Sequence, residues 1–342
     1  MPEAPKKVIT PELIKLADQL EAIFAPHAHA QRITAYNNAK EFGNGADEQD
    51  LRMVHYTSAE AALKIIQTKR IWFRNTTCMS DYREVEHGFA ILKNYFSDDS
   101  KMRAFTGALD EIAPGCAREA IDRFDKRWNH LRFNIYVISA SEHAKKENDH
   151  GRLSMWRAFG GGSARVALVL RIPKHSEAAM ALNLFFSPVA YLTETEAHAE
   201  LDKVTQNIAS SSSFLRSVPK EMVTEYVFNT LLANVICLKH EGFQEEREWR
   251  AIYTPTLRES KLVASSTQVS EGIPQLVYEL PLDVTHDPIL ADLDFPLIFE
   301  RLIIGPSQYP WAMFEAFVLA LVTAGVSDPG KRISNSLIPI RT

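Results

Sequence analysis

The sequence predicts an α+β protein, a mixed sheet with surrounding helices, and three observations carry that expectation. Short strand-like runs and helical segments follow one another without strict alternation, which disfavours a doubly wound parallel sheet. No glycine-rich phosphate loop opens a helix: Gly160-Gly161-Gly162 follows a helix-like turn and lacks the lysine of a P-loop. Finally, 342 residues with 46% hydrophobic and 24% charged composition are enough to bury a large core.

The elements follow in order. Thr10 caps and Pro11 opens a helix over 10–24 whose Leu13, Leu16, Leu20 and Phe24 share a face. Residues 26–50 are polar and read as a linker, so 1–50 is expected to be an N-terminal helix and linker, and 51–342 a single α+β catalytic-like domain. Strands are expected at 51–56, 71–73, 135–139, 165–172, 248–253, 276–280 and 302–304. Helices are expected at 59–68, 81–95, 117–128, 195–209, 220–238 and 310–324.

Several function classes are disfavoured at once. A net charge of −5 supplies no global basic field for nucleic acid, although a local groove stays open. Three scattered cysteines, Cys78, Cys116 and Cys237, form neither a disulfide framework nor a zinc motif. No metal is expected, and the His27/His29 pair reads as solvated. The most hydrophobic run, 311–326, contains Glu315 and is too short to span a bilayer. No apolar signal-peptide core follows Lys6 and Lys7. A cytoplasmic protein with no membrane partner is expected.

Three clusters put unusual polar residues at strand ends. His55-Tyr56-Thr57-Ser58 closes a strand and opens a helix, where Thr57 or Ser58 caps and His55 is placed to meet a ribose hydroxyl or carboxamide. Met155-Trp156-Arg157 either pins a short helix to the core or offers an aromatic surface and a guanidinium to a nucleotide. In Glu245-Glu246-Arg247-Glu248-Trp249-Arg250, strand alternation puts Glu246, Glu248 and Arg250 on one face. Such convergence is costly unless the groups pair or bind something.

Taken together, the order His-Tyr-Thr, helix, aromatic strand and late Glu-x-Glu resembles the ADP-ribosyltransferase superfamily. Val54-His55-Tyr56-Thr57-Ser58 with Ile71-Trp72-Phe73, and the strand opened by Glu248, are similar to bacterial DNA-targeting ADP-ribosyltransferase toxins. Over about 50–340 the chain also resembles a widespread uncharacterised bacterial domain family. Here the quoted residues are His55-Tyr56-Thr57, Trp72-Phe73-x-Asn75, Ser80-Asp81, Met155-Trp156-Arg157, Glu246-x-Glu248-Trp249-Arg250 and Ile304-Gly305-Pro306.

The first resemblance implies a mixed split sheet of the ADP-ribosyltransferase type and NAD as substrate. Glu248 would stabilise an oxocarbenium-like ribose, and Glu246 would orient or deprotonate the acceptor. His55, Tyr56 and Thr57 would bind NAD, with Arg157 or Arg250 on the diphosphate. The nicotinamide clamp is open among Tyr82, Tyr136 and Trp156. Such proteins are often toxins or antiviral defence effectors that modify a nucleic acid or a protein, and NAD glycohydrolysis without an acceptor is the variant outcome. Two other classes stay open. One is a nucleotide-sensing or protein-interaction module without turnover. The other is a metal-dependent nuclease on Asp81, Glu84, Glu86 and His87, whose spacing drifts around a helix.

Overall fold

In the computed structural model, residues 9–41, 50–78, 82–158, 164–270 and 272–339 are described; Ser80, Asp81 and Gly160-Gly161-Gly162 lie outside them, as do the side chains of residues 82–84. The described residues form twelve strands: β1 Leu51–Ser58, β2 Arg70–Asn75, β3 Tyr136–Glu142, β4 Arg165–Ile172, β5 Phe185–Pro188 and β6 Ala190–Tyr191. The remainder are β7 Leu238–Lys239, β8 Glu248–Tyr253, β9 Ala264–Ser270, β10 Ile273–Pro281, β11 Phe299–Ile304 and β12 Ile333–Asn335. Ten of them form one mixed, open, mostly antiparallel sheet in the order β12-β11-β4-β1-β3-β2-β10-β9, with β8 on β3 and β5 on β8. Only β11·β12 within that sheet is parallel, and β6·β7 form a small parallel pair apart from it.

β3 is where the sheet forks. Along one edge, Tyr136 to Ser141 pair continuously with β8. Its other edge is shared: Tyr136 and Val137 pair with β2, whereas Ser141 and Glu142 pair with β1. Between these contacts, Ile138, Ser139 and Ala140 have no strand partner on that edge. The helix Ala59–Thr68 joins β1 to β2 and holds the two prongs apart. It starts where Ser58 Oγ accepts from the Ala61 N–H, 3.1 Å, and its Ala62, Ile65 and Ile66 face the core. Ser58 is therefore the cap, and Thr57 is not.

Helices cover both faces. On one, helices including Pro11–Phe24, Cys116–Leu131 and Lys220–Ile236 bury a core that reaches the sheet at Val137 and Ile252. On the other, Ala59–Thr68 and Pro310–Thr323 pack over Ile138, Leu168, Tyr253 and Leu302. Each such aliphatic or aromatic side chain withdrawn from water contributes about 1.5–3 kcal/mol.

The expected linker is corrected in part. Residues Pro26–Glu41 form a second helix, begun by Pro26 directly after the first helix ends at Ala25. It buries Ala35 and Tyr36 against Leu51, Met53 and Trp249. His27 and His29 lie on this helix two positions apart, where side chains do not face one another.

Candidate active site

Alternation and register sort the singled-out residues between the sheet's faces. Val54 is opposite Ser141, and Ser141 is opposite Glu248, so Val54, Tyr56, Glu248 and Arg250 share one face. Leu51, Met53, His55 and Trp249 belong to the other, where Leu51, Met53 and Trp249 form one apolar cluster. His55 and Glu248 stand on strands separated only by β3, about 10 Å apart by strand spacing, but project from opposite faces. His55 is half-buried at the fork, and its Nδ1–H donates to the Ser139 carbonyl at 2.9 Å, supplying the partner that no strand provides. Burial lowers its pKa against the opposing pull of that bond, which favours the neutral ring with Nε2 as an acceptor.

At the start of β8 the expected Glu246-Glu248-Arg250 stripe is corrected. Glu241–Glu246 is a 3-10 turn, and Arg247 is left-handed at φ 44°, so the strand begins only at Glu248 and Glu246 does not belong to it. The two carboxylates still meet, through a lysine. Lys239 Nζ, on a 3% exposed residue, lies 2.7 Å from Glu246 Oε2 and 3.4 Å from Glu248 Oε2. Arg250 holds Glu248 bidentately at 2.9 and 3.1 Å and donates to the Ile236 carbonyl. The Glu248 N–H donates to the Tyr191 hydroxyl at 2.8 Å. Burial alone would raise the Glu248 pKa. The charge and hydrogen bonds of Arg250, with Lys239 beside them, overcome it and bring the value down to about 2.

A second network locks the turn that carries Glu246. Arg152 uses all five guanidinium donors: on both Glu147 oxygens at 3.1 and 3.2 Å, and on the carbonyls of Glu142, Glu245 and Glu246 at 2.7, 2.8 and 2.9 Å. Its main-chain N–H donates to the Tyr56 hydroxyl at 2.8 Å, and burial pushes that phenol up to about 12. Arg247 also binds Glu147, at 2.6 Å. Burial works against ionising Glu147, but the bonds from Arg152 and Ala144 and the two arginine charges lower its pKa overall. Nearby, His143 is buried with Nε2 3.0 Å from Asn148 Oδ1, and burial with the Arg52 charge lowers its pKa to about 4.

Arg152, Glu147, Lys239 and Tyr191 are the members that sequence reasoning missed. Their only local signal is weak, an arginine opening the turn before Met155-Trp156-Arg157. By contrast, Arg157 itself is exposed. Trp156 is 3% exposed, with its indole N–H on the His150 carbonyl at 2.7 Å and its ring edge-on to Tyr56, centroids 4.9 Å apart. A Cβ on Gly305 would stand 2.9 Å from both the Trp156 ring and the Arg165 carbonyl, so Trp156 and Ile304-Gly305-Pro306 are one packed unit. That leaves no open ring face for a nucleotide base, and the core-pinning role is the one realised. Tyr136 is likewise buried, edge-on to Tyr278, and the Tyr82 side chain lies outside the described residues.

Among the described residues no group of three or more His, Cys, Asp or Glu could hold a metal ion, and no helix is long and apolar enough to cross a membrane. Of the nuclease set, Asp81 and the Glu84 side chain lie outside the described residues. Residues 155–251 match the model of a family described as a protein of unknown function, DUF2971. The matched stretch runs from Met155 to Ala251 and so takes in both Met155-Trp156-Arg157 and Glu246-x-Glu248-Trp249-Arg250. No curated protein and no solved structure matches the chain.

Proposed function

We propose that the protein consumes NAD at the fork of β3, as an ADP-ribosyltransferase or an NAD glycohydrolase. One observation carries the reading. Ser139 takes the His55 N–H on its unpaired edge, while its register partner on the other edge is Arg250, the residue that holds Glu248 ionised. In this reading the adenosine side lies against His55 in the gap between β1 and β2, and the reacting ribose would have to reach Glu248 across β3.

Breaking the nicotinamide–ribose bond builds positive charge on the ribose, and a preorganised carboxylate in low-dielectric surroundings stabilises it. Glu248 would supply that charge. Lys239, whose 3.4 Å contact is longer than either Arg250 bond, is the group a ribose 2′-hydroxyl would displace. Glu246, with a quarter of its side chain exposed, would orient the acceptor at the rim. His55 would hold the adenosine-side ribose through Nε2, and Thr57 would stand beside it. Arg250 serves Glu248 in this reading and leaves the diphosphate to other groups. The acceptor would be a nucleic acid or a protein, and a growth-arresting toxin or antiviral effector acting in the cytoplasm fits this chemistry.

A second reading is favoured by the saturation of Glu248. Arg250 and Lys239 already occupy its oxygens, as they would in a module that binds a nucleotide or a protein without turnover. Incubating the purified protein with adenylate-labelled NAD and cell lysate separates the two. Nicotinamide release is expected, with label transfer for a transferase and without it for a glycohydrolase. NAD binding with no release selects the second reading, and neither binding nor release removes the first.

A further inference from the structure

We infer that the helix Pro310–Thr323 is a self-association surface on which a second copy of this chain packs antiparallel. The helix has one charged residue, Glu315, and its inner side, Phe317, Ala320 and Leu321, is buried in the core. Apart from Glu315, its outer side is apolar as well. Trp311, Leu319 and Val322 are 72, 69 and 56% exposed, and Ala312 and Ala316 lie between them on the surface. A helix that is apolar all round is normally covered on both sides. The patch continues past both ends, through Tyr309 at the N-cap, 70% exposed, and Leu297, 67% exposed. Leu297 follows Pro296, whose ring lies 3.6 Å from where a Gly325 Cβ would stand, just beyond the helix.

Area and pattern select the occupant. Five large side chains this exposed present on the order of 600 Å², the upper end for a monomer and near the roughly 800 Å² each partner gives up in a stable interface. Ala312, Glu315, Leu319 and Val322 follow alternating spacings of three and four, the seam of a helix pair. In an antiparallel, twofold arrangement Ala312 meets the second copy's Val322, and Glu315 meets its Leu319. The aromatic end, Tyr309 and Trp311, then covers the aliphatic end of the other copy, so one patch complements itself. Glu315 lies over leucine instead of the opposing Glu315, with its carboxylate at the rim. A membrane is a poorer occupant, since the helix carries no lysine or arginine and no polar face.

Sedimentation velocity over a concentration series tests this on the full chain. Wild type is expected at twice the chain mass, dissociating on dilution. Leu319→Asp should raise the dimer Kd by at least about 30-fold, the effect of a central interface residue. Its melting temperature, read at a concentration where both proteins are monomeric, should hold. Trp311→Arg should act alike should Leu319→Asp fail to fold. A wild type that stays monomeric at the highest concentration, a dimer indifferent to both Leu319→Asp and Trp311→Arg, or binding of the monomer to neutral phosphatidylcholine vesicles would each overturn the inference.

Discussion

The two edges of β3 are built on opposite principles. Toward β8 the chain has a closed seam, in which Glu248, Arg250, Lys239 and Glu246 neutralise one another and Arg152 uses every donor it has. Toward β1 and β2 it has a gap, where three residues lack a strand partner and one histidine reaches across to a carbonyl. The difference separates two jobs that similar-looking polar motifs can do. A buried cluster with matched charge fixes a turn and holds a carboxylate preorganised, the role proposed for Glu248, whereas an incompletely paired strand edge is a place where a ligand can complete the hydrogen bonding.

Cutting the seam should therefore cost far more than disturbing the fork. Arg250→Ala strips the 5% exposed Glu248 of its bidentate partner, and urea unfolding should show a loss of about 3–5 kcal/mol. A loss below about 1 kcal/mol would mean that Lys239 or water compensates and that the seam is not closed.

Acid should destabilise the fold in two stages. His143 is depressed from 6.5 to about 4, so in the folded state it binds its proton later than the unfolded chain does. Its contribution is present above pH 6.5 and is lost as pH falls from there toward 4, by up to roughly 3 kcal/mol. Glu248, depressed from 4.5 to about 2, has the same sign and acts between those lower values. Stability measured against pH should decline on acidification with a first limb that His143→Gln flattens. An unchanged limb in that variant assigns it to another group.

At the fork the effect should be smaller. His55→Phe keeps the bulk but strips the Ser139 carbonyl of its donor, for about 1–3 kcal/mol, and should weaken NAD binding more than it lowers the melting temperature. The smallest effect is expected at Arg157→Ala, exposed at a helix end, within about 0.5 kcal/mol and without change in NAD affinity. A large affinity loss there would restore Arg157 to the binding site.

What could be read from the residues follows the same division. Arg165–Ile172 and Glu248–Tyr253 were expected at their observed bounds, and so was the Ala59–Thr68 helix, because apolar runs and a capping serine are local signals. Pro26–Glu41 was not legible: it buries little beyond Ala35 and Tyr36, so no apolar stripe marks it. β9, Ala-Ser-Ser-Thr-Gln-Val-Ser, is an exposed edge strand with the composition of a loop. Within the candidate site, alternation correctly joined Glu248 to Arg250. It failed at Glu246, because Arg247 enters the left-handed region and resets the register. Lys239 and Arg152 converge on these residues only through tertiary packing, which no spacing along the chain encodes.

The most direct test of the proposed NAD chemistry is steady-state nicotinamide release by Glu248→Gln, set beside its NAD dissociation constant. Both are measured below the melting temperature with folding checked by circular dichroism, since loss of the carboxylate charge leaves Arg250 and Lys239 short of a partner. The account predicts a kcat about 10²–10³-fold below wild type, equivalent to about 2.7–4 kcal/mol, with NAD affinity changed far less. A folded Glu248→Gln protein that releases nicotinamide at the wild-type rate would contradict it.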